Sequence, residues 1–132
     1  MNGHSGRMQI GELAERTGVS HRTIHYYERI GLMKPAEREG AGYRYYDDES
    51  VKRLEKIAVL KQLGLSLDDI ASVIDLYFSD PSGIKGKEKV LQILETQLTK
   101  TAIQLGELSS FKCELEANIE RMKGLIHSAR DT

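Results

Sequence analysis

Between Leu91 and Ile126 eleven positions recur in alternating steps of three and four: Leu91, Leu94, Leu98, Thr101, Leu105, Leu108, Lys112, Leu115, Ile119, Met122 and Ile126. Only Thr101 and Lys112 interrupt the apolar run. This is a heptad seam held over five heptads, and it predicts a coiled-coil helix. No proline follows Pro81, so the helix is expected to run unbroken over 85–127, about 65 Å at 1.5 Å per residue. No other stretch of the chain is long enough to cover such a seam. A second copy of the chain is therefore the simplest partner, with Leu91, Leu94, Leu98, Leu105, Leu108, Leu115, Ile119, Met122 and Ile126 as its interface. The e and g positions carry few opposite charges, so they do not set strand direction.

The amino-terminal part reads differently. Ile10, Leu13 and Ala14 sit at helical spacing, and Gly18 is a helix stop. Val19 packs in the turn. Ser20 is placed to cap a second helix, in which Ile24 and Tyr27 share the core face and Ile30 or Leu32 closes the end. His21, Arg22, His25 and Arg29 fall on the other side, with Tyr26 between. Gly31 ends this helix. Pro35 prevents its continuation. The glycines around Ala41 mark a turn between two short strands, with Tyr43, Arg44, Tyr45 and Tyr46 alternating along the second. Helix, glycine turn, capped helix and hairpin make a winged helix-turn-helix, a common way to put a helix end into the major groove. The expected DNA contacts are His21, Arg22, His25, Tyr26, Arg38, Tyr43 and Arg44. Arg22, in the first turn of the second helix, is the candidate base reader, and Arg38 and Arg44 the candidate phosphate contacts.

Asp47 is placed to cap a third helix with Asp48 and Glu49 in its first turn, and Val51, Leu54, Ile57, Ala58 and Leu60 as its apolar face. Gly64 ends it. Ser66-Leu67-Asp68-Asp69 resembles a capping box opening a fourth helix that bears Ile70, Val73, Ile74 and Tyr77. The expected organisation is a disordered tail at 1–7, a DNA-binding domain at 8–78, a linker at 79–84, the coiled-coil helix at 85–127 and a tail at 128–132. The fold class is mainly α.

With 39% hydrophobic and 30% charged residues, the composition suits a soluble protein with a long exposed helix. The net charge of −1 argues weakly against a nucleic-acid ligand. Locally, from Arg16 to Tyr46, six basic residues face three acidic ones, a balance of +3, and the local field is what matters at contact. No apolar run is long enough to span a membrane and no apolar signal region opens the chain, so a cytoplasmic location is expected. The single Cys113 allows neither an internal disulfide nor a multi-cysteine metal cluster within one chain.

Several strings together resemble the MerR family of bacterial transcription regulators: Thr23-Ile24-His25-Tyr26-Tyr27-Glu28 with Gly31-Leu32, Pro35 and Arg38 followed by Gly42-Tyr43-Arg44-Tyr45-Tyr46, and Leu63-Gly64-Leu65-Ser66-Leu67-Asp68-Asp69-Ile70. The resemblance runs from Met8 to His127. It implies a homodimer joined by an antiparallel coiled coil. It also implies a pseudo-palindromic promoter operator in double-stranded DNA, bending and untwisting of that DNA, and RNA polymerase as partner at the promoter. By the same resemblance, Tyr43, Arg44 and the exposed face of His21 to Tyr26 touch DNA. Three departures stand out. His25 stands where many members carry arginine. The coil begins Ser82-Gly83-Ile84-Lys85, without the cysteine of metal-sensing members. No separate ligand-binding domain follows the coil, which fits a short member.

Two other classes of function compete with a sequence-specific regulator. One is a thiol- or metal-responsive sensor built on Cys113. That residue falls at a b position off the seam, where an ordinary exposed cysteine is the simpler reading. Cys113 and His127 lie about 21 Å apart along one helix. An antiparallel pair centred near Gly106 would not bring them together. His21 and His25 are four apart, but no further ligand stands beside them. The other class is a low-specificity architectural DNA-binding protein. No nucleophile–base pair, phosphate-binding glycine loop or paired-carboxylate motif appears, so no catalytic residue, metal or cofactor is expected.

Overall fold

The computed structural model describes residues 7–39 and 43–131. The expected glycine turn at 40–42, the tail at 1–6, Thr132 and the side chains of Glu39, Tyr43 and Arg44 lie outside the described residues. Five helices and one hairpin follow in order: α1 Ile10–Thr17, α2 His21–Arg29, β1 Glu37–Glu39, β2 Tyr43–Tyr45, α3 Asp48–Gln62, α4 Leu67–Ser79 and α5 Ile84–Arg130. The chain divides into two compact units, 1–91 and 92–132.

Within 1–91 local chemistry sets the end of α1 and the starts of α2, α3 and α4. Gly18 closes α1 with φ of 74°, a left-handed conformation that a side chain would strain, and gives its N–H to the Ala14 carbonyl at 2.8 Å. The Ser20 hydroxyl accepts from the Thr23 N–H at 3.1 Å, which caps α2. The Asp47 carboxylate does the same for α3, accepting from Ser50 N–H at 3.1 Å. At α4 the capping box is complete: Ser66 Oγ accepts from Asp69 N–H at 3.1 Å, and Asp69 Oδ2 accepts from Ser66 N–H at 3.4 Å.

Helix α3 packs against both α1 and α4, and α1 against α2. Leu13, Ile24, Leu54, Ile57, Leu60, Ile70, Val73 and Ile74 are fully buried between them. Each such side chain contributes about 1.5–3 kcal/mol by leaving water. One detail differs from the sequence reading and one open choice is resolved. Ala58, expected on the apolar face of α3, is exposed. It lies one residue past Ile57, about 100° around the helix, and so leaves the buried stripe of Val51, Leu54, Ile57 and Leu60. At the end of α2, Leu32 and not Ile30 enters the core.

Strands β1 and β2 pair antiparallel, with Glu37 opposite Tyr45, Arg38 opposite Arg44 and Glu39 opposite Tyr43. Met8 extends this small sheet. Its N–H donates to the Tyr46 carbonyl at 2.8 Å, and the Tyr46 N–H returns a bond to the Met8 carbonyl at 2.6 Å. Arg53 of α3 ties three elements together. Its Nε donates to the Leu32 carbonyl at 2.7 Å, one terminal nitrogen meets Asp75 of α4 at 2.9 Å, and the guanidinium lies 5.8 Å from the Phe78 ring centre.

The turn into α5 is organised by Asp80. Its carboxylate accepts from the Lys85 N–H at 3.1 Å, the Ser82 hydroxyl at 2.9 Å and the Ser82 N–H at 3.2 Å. The bond from the Lys85 backbone, with that from the Ser82 side chain, holds this carboxyl below its ordinary value. One turn later Gly86 is buried against Tyr77, and a Cβ placed there would stand 2.7 Å from two ring carbons. Ser79 belongs to α4 and Ile84 to α5, so the connection is shorter than the expected linker at 79–84. Helix α5 continues to Arg130, three residues beyond the expected 127 and into the expected tail at 128–132.

Two outcomes follow from this turn. Gly86→Ala should lower the unfolding free energy by about 1–3 kcal/mol through overpacking against Tyr77, although alanine is the better helix former. Denaturant titration reads this, and a Tyr77→Ala background should remove the loss. Because the folded Asp80 carboxyl is lowered, its cap is present at neutral pH and is lost as pH falls through that lowered value. Asp80→Asn should thus alter the Ser82 and Lys85 amide resonances at pH 7. That difference should vanish well below the ordinary aspartate value of about 3.9.

Candidate nucleic-acid interface

The start of α2 carries four of the expected contact residues on one short helix. His21 and Arg22 are its first two residues, with His25 and Tyr26 one turn on, and all four are exposed. Pairs four apart stand one above the other, so His21 aligns with His25 and Arg22 with Tyr26. The Arg29 guanidinium lies 5.4 Å from the Tyr26 ring centre, a cation–π contact that covers part of the tyrosine. Ile24 and Tyr27 anchor the opposite side in the core. The exposed set is thereby carried on a helix that cannot roll without exposing Ile24.

The wing supplies the second group. Arg38 is exposed in β1, and the register sets the Arg38 and Arg44 positions directly across from one another. The Arg7 guanidinium lies 4.5 Å from the ring centre of Tyr45, whose hydroxyl donates to Glu37 at 3.0 Å. Tyr46 is buried at 4% exposure and belongs to the core.

Sequence reasoning used Glu28 only as one of three acids against six bases and as the end of the Thr23–Glu28 string, without a contact of its own. The structure gives it a specific place. Its Oε2 accepts from the Tyr46 hydroxyl at 2.7 Å, and its Oε1 lies 3.3 Å from His25 Nδ1. The spacing from His25 to Glu28, three residues on a helix, is a signal the sequence carried. The Tyr46 partner, eighteen residues away, was not legible.

The coil residues belong to a different surface. In α5 the seam positions Leu98, Leu105, Leu108, Leu115, Ile119, Met122 and Ile126 are 45–70% exposed, Leu91 is also exposed, and Leu94 is half-buried. Ile103, Phe111 and Leu125 are exposed as well, off the a and d positions. By the same heptad count Phe111 and Leu125 are both g residues, which widens the apolar face beside the seam. Cys113 is free and exposed. Among the described residues, no three His, Cys, Asp or Glu side chains gather closely enough to hold a metal. No described helix is long and apolar enough to cross a membrane.

Residues 8–76 match the family described as MerR HTH family regulatory protein. The chain is 36% identical over 109 residues to the nodulation protein NolA of Bradyrhizobium elkanii, which covers 83% of this chain but 45% of NolA. Its fold is similar to that of the transcription regulator PbrR691 of Ralstonia metallidurans CH34, a structure solved with lead(II). The TM-score is 0.65 at 25% identity, over 82% of this chain and 81% of that one. A second similar structure is HiNmlR, a MerR family regulator lacking the sensor domain and bound to promoter DNA. Its TM-score is 0.53 at 27% identity, over 80% and 77% of the two chains. The chain thus spans less than half the length of NolA. The family match covers more than half of the chain and includes α1 through most of α4, and the chain belongs to the MerR HTH family of DNA-binding transcription regulators.

Proposed function

We propose that this chain is a sequence-specific transcription regulator that acts in the cytoplasm as a homodimer on a pseudo-palindromic promoter element. The observation that carries the reading is the exposed row of His21, Arg22, His25 and Tyr26 on a short helix locked to the core by Ile24 and Tyr27. The HiNmlR structure, bound to promoter DNA without a sensor domain, supports it by similarity. Two copies of α2 enter successive major grooves, spaced by whole helical turns as a two-fold dimer requires. Arg22 reads a base edge. Arg38 and Arg44 of the wing hold phosphates and set register. Tyr43 and Tyr26 fill the space between them.

The domain organisation proposed for this role is DNA binding by 8–78 and dimerisation by the seam from Leu91 to Ile126, packed antiparallel against a second copy. The seam leaves a row of large apolar side chains in water when the chain is alone, and burying such a row drives association. Bending a duplex across two tethered half-sites costs about 1–6 kcal/mol, which an interface of this kind offsets with extra phosphate contacts. DNA bent and untwisted in this way lets RNA polymerase reach both promoter elements.

Two experiments test the reading. Arg22→Ala should weaken binding to a selected duplex by about 1–3 kcal/mol and to scrambled DNA far less, as the loss of a bidentate base contact requires. Arg44→Ala should weaken both duplexes alike and reduce the salt slope by about one. Equal losses for Arg22→Ala on both duplexes would make Arg22 a phosphate contact. Separately, Leu105→Asp places a charge in the seam and should yield monomers in sedimentation. An unchanged dimer would remove the coil from the interface.

A further inference from the structure

Glu28 is the one acid of α2, and it is largely covered where the basic residues of the helix are exposed. Its side chain is 9% exposed, whereas that of His25 is 46% exposed. The carboxylate is held from behind, because Oε2 accepts from the Tyr46 hydroxyl at 2.7 Å. Tyr46 is buried, and its backbone is bonded in both directions to Met8. The other oxygen, Oε1, meets His25 Nδ1 at 3.3 Å. An ionised carboxylate can only accept, so the hydrogen of this contact belongs to Nδ1. That commitment leaves Nε2 as the one ring nitrogen available to a ligand.

The two forms of the ring then present opposite chemistry to DNA. A neutral His25 offers a lone pair at Nε2, which a phosphate oxygen repels. A protonated His25 offers an N–H at Nε2, which a phosphate oxygen or the N7 and O6 of guanine accepts. The charged groups near His25 on its own helix are Glu28, Arg22 at the third residue before and Arg29 at the fourth after, with His21 a turn away. Arg29 is turned over the Tyr26 ring. From outside α2, the Tyr46 hydroxyl is the described group that bonds to this pair.

We propose that Glu28, anchored by Tyr46, is a positioning residue that fixes His25 with Nδ1–H turned inward, and that DNA captures the protonated ring through Nε2–H, so that binding takes up a proton at His25. The inference rests on the reading of α2 as the DNA-facing helix. It gives α2 a contact whose grip on DNA follows pH. Because the bound state holds the extra proton, affinity rises as pH falls.

The test uses the full chain and a fluorescein-labelled duplex recovered by it from a random-sequence library, followed by anisotropy from pH 6 to 8.5 at constant salt. Wild-type affinity should fall about tenfold or more across that range, since one fully linked proton changes affinity about tenfold per pH unit. His25→Gln should lose this pH dependence, and His25→Arg should bind tightly throughout. His21 is retained in all three proteins, so the difference between them isolates His25. Imidazole nitrogen NMR at pH 8 should show His25 as the Nδ1–H tautomer, replaced by a tautomer mixture in Glu28→Gln and in Tyr46→Phe. A wild-type pH slope matching that of His25→Gln, or an Nε2–H tautomer in the wild type, would overturn the inference while leaving DNA binding intact. Failure of any duplex to bind at any pH would overturn both readings.

Discussion

Burial of one face of α3 is the constraint on which the rest of the amino-terminal unit depends. Val51, Leu54, Ile57 and Leu60 form that face, and α1 and α4 pack against α3. Removing a leucine from such a core costs about 2–5 kcal/mol, a large share of a small domain's stability. The consequence reaches the DNA-facing side. Helix α2 has nine residues and would be marginal alone in water. It exists because Ile24 and Tyr27 dock into the core that α3 completes. Arg53 adds a polar tie from α3 to the end of α2 and to α4, at a position only 14% exposed. Its two bonds replace the water that the guanidinium gives up, so its cost of burial is offset.

Electrostatics here works locally. A chain with a net charge of −1 still assembles an exposed cationic edge, because its acids are spent elsewhere. Asp47, Asp69 and Asp80 cap helix starts or a turn, Glu37 takes the Tyr45 hydroxyl, and Glu28 is held between Tyr46 and His25. A capping carboxylate is oriented toward backbone N–H groups, and the field it adds at a distant phosphate is screened beyond about 10 Å at ordinary salt. Overall charge therefore says little about whether such a chain can bind nucleic acid.

The carboxy-terminal helix poses the complementary problem. Its seam is built for burial, yet the apolar seam residues from Leu98 onward are exposed. Phe111 and Leu125 broaden the apolar strip beyond a strict a/d stripe. A strip of that width is larger than a two-stranded coil alone requires, which concentrates the apolar burden in the second half of α5.

Much of the architecture was legible because the signals that encode it are local. Caps at Ser20, Asp47 and Ser66, stops at Gly18 and Gly31, and the spacing of Leu91 to Ile126 each involve residues within a turn or a heptad of one another. The sequence alone therefore determined where helices begin, which faces are apolar, and that α2 presents His21, Arg22, His25 and Tyr26 together. Tertiary structure decided the rest, because the partners are distant in the chain and chosen by packing. Met8 pairs with Tyr46, Tyr46 reaches back to Glu28, Arg53 finds Leu32 and Asp75, and Gly86 makes room for Tyr77. No periodicity marks these pairs. A hydroxyl, a guanidinium or a missing Cβ acquires its role only when packing removes water and leaves few partners within reach.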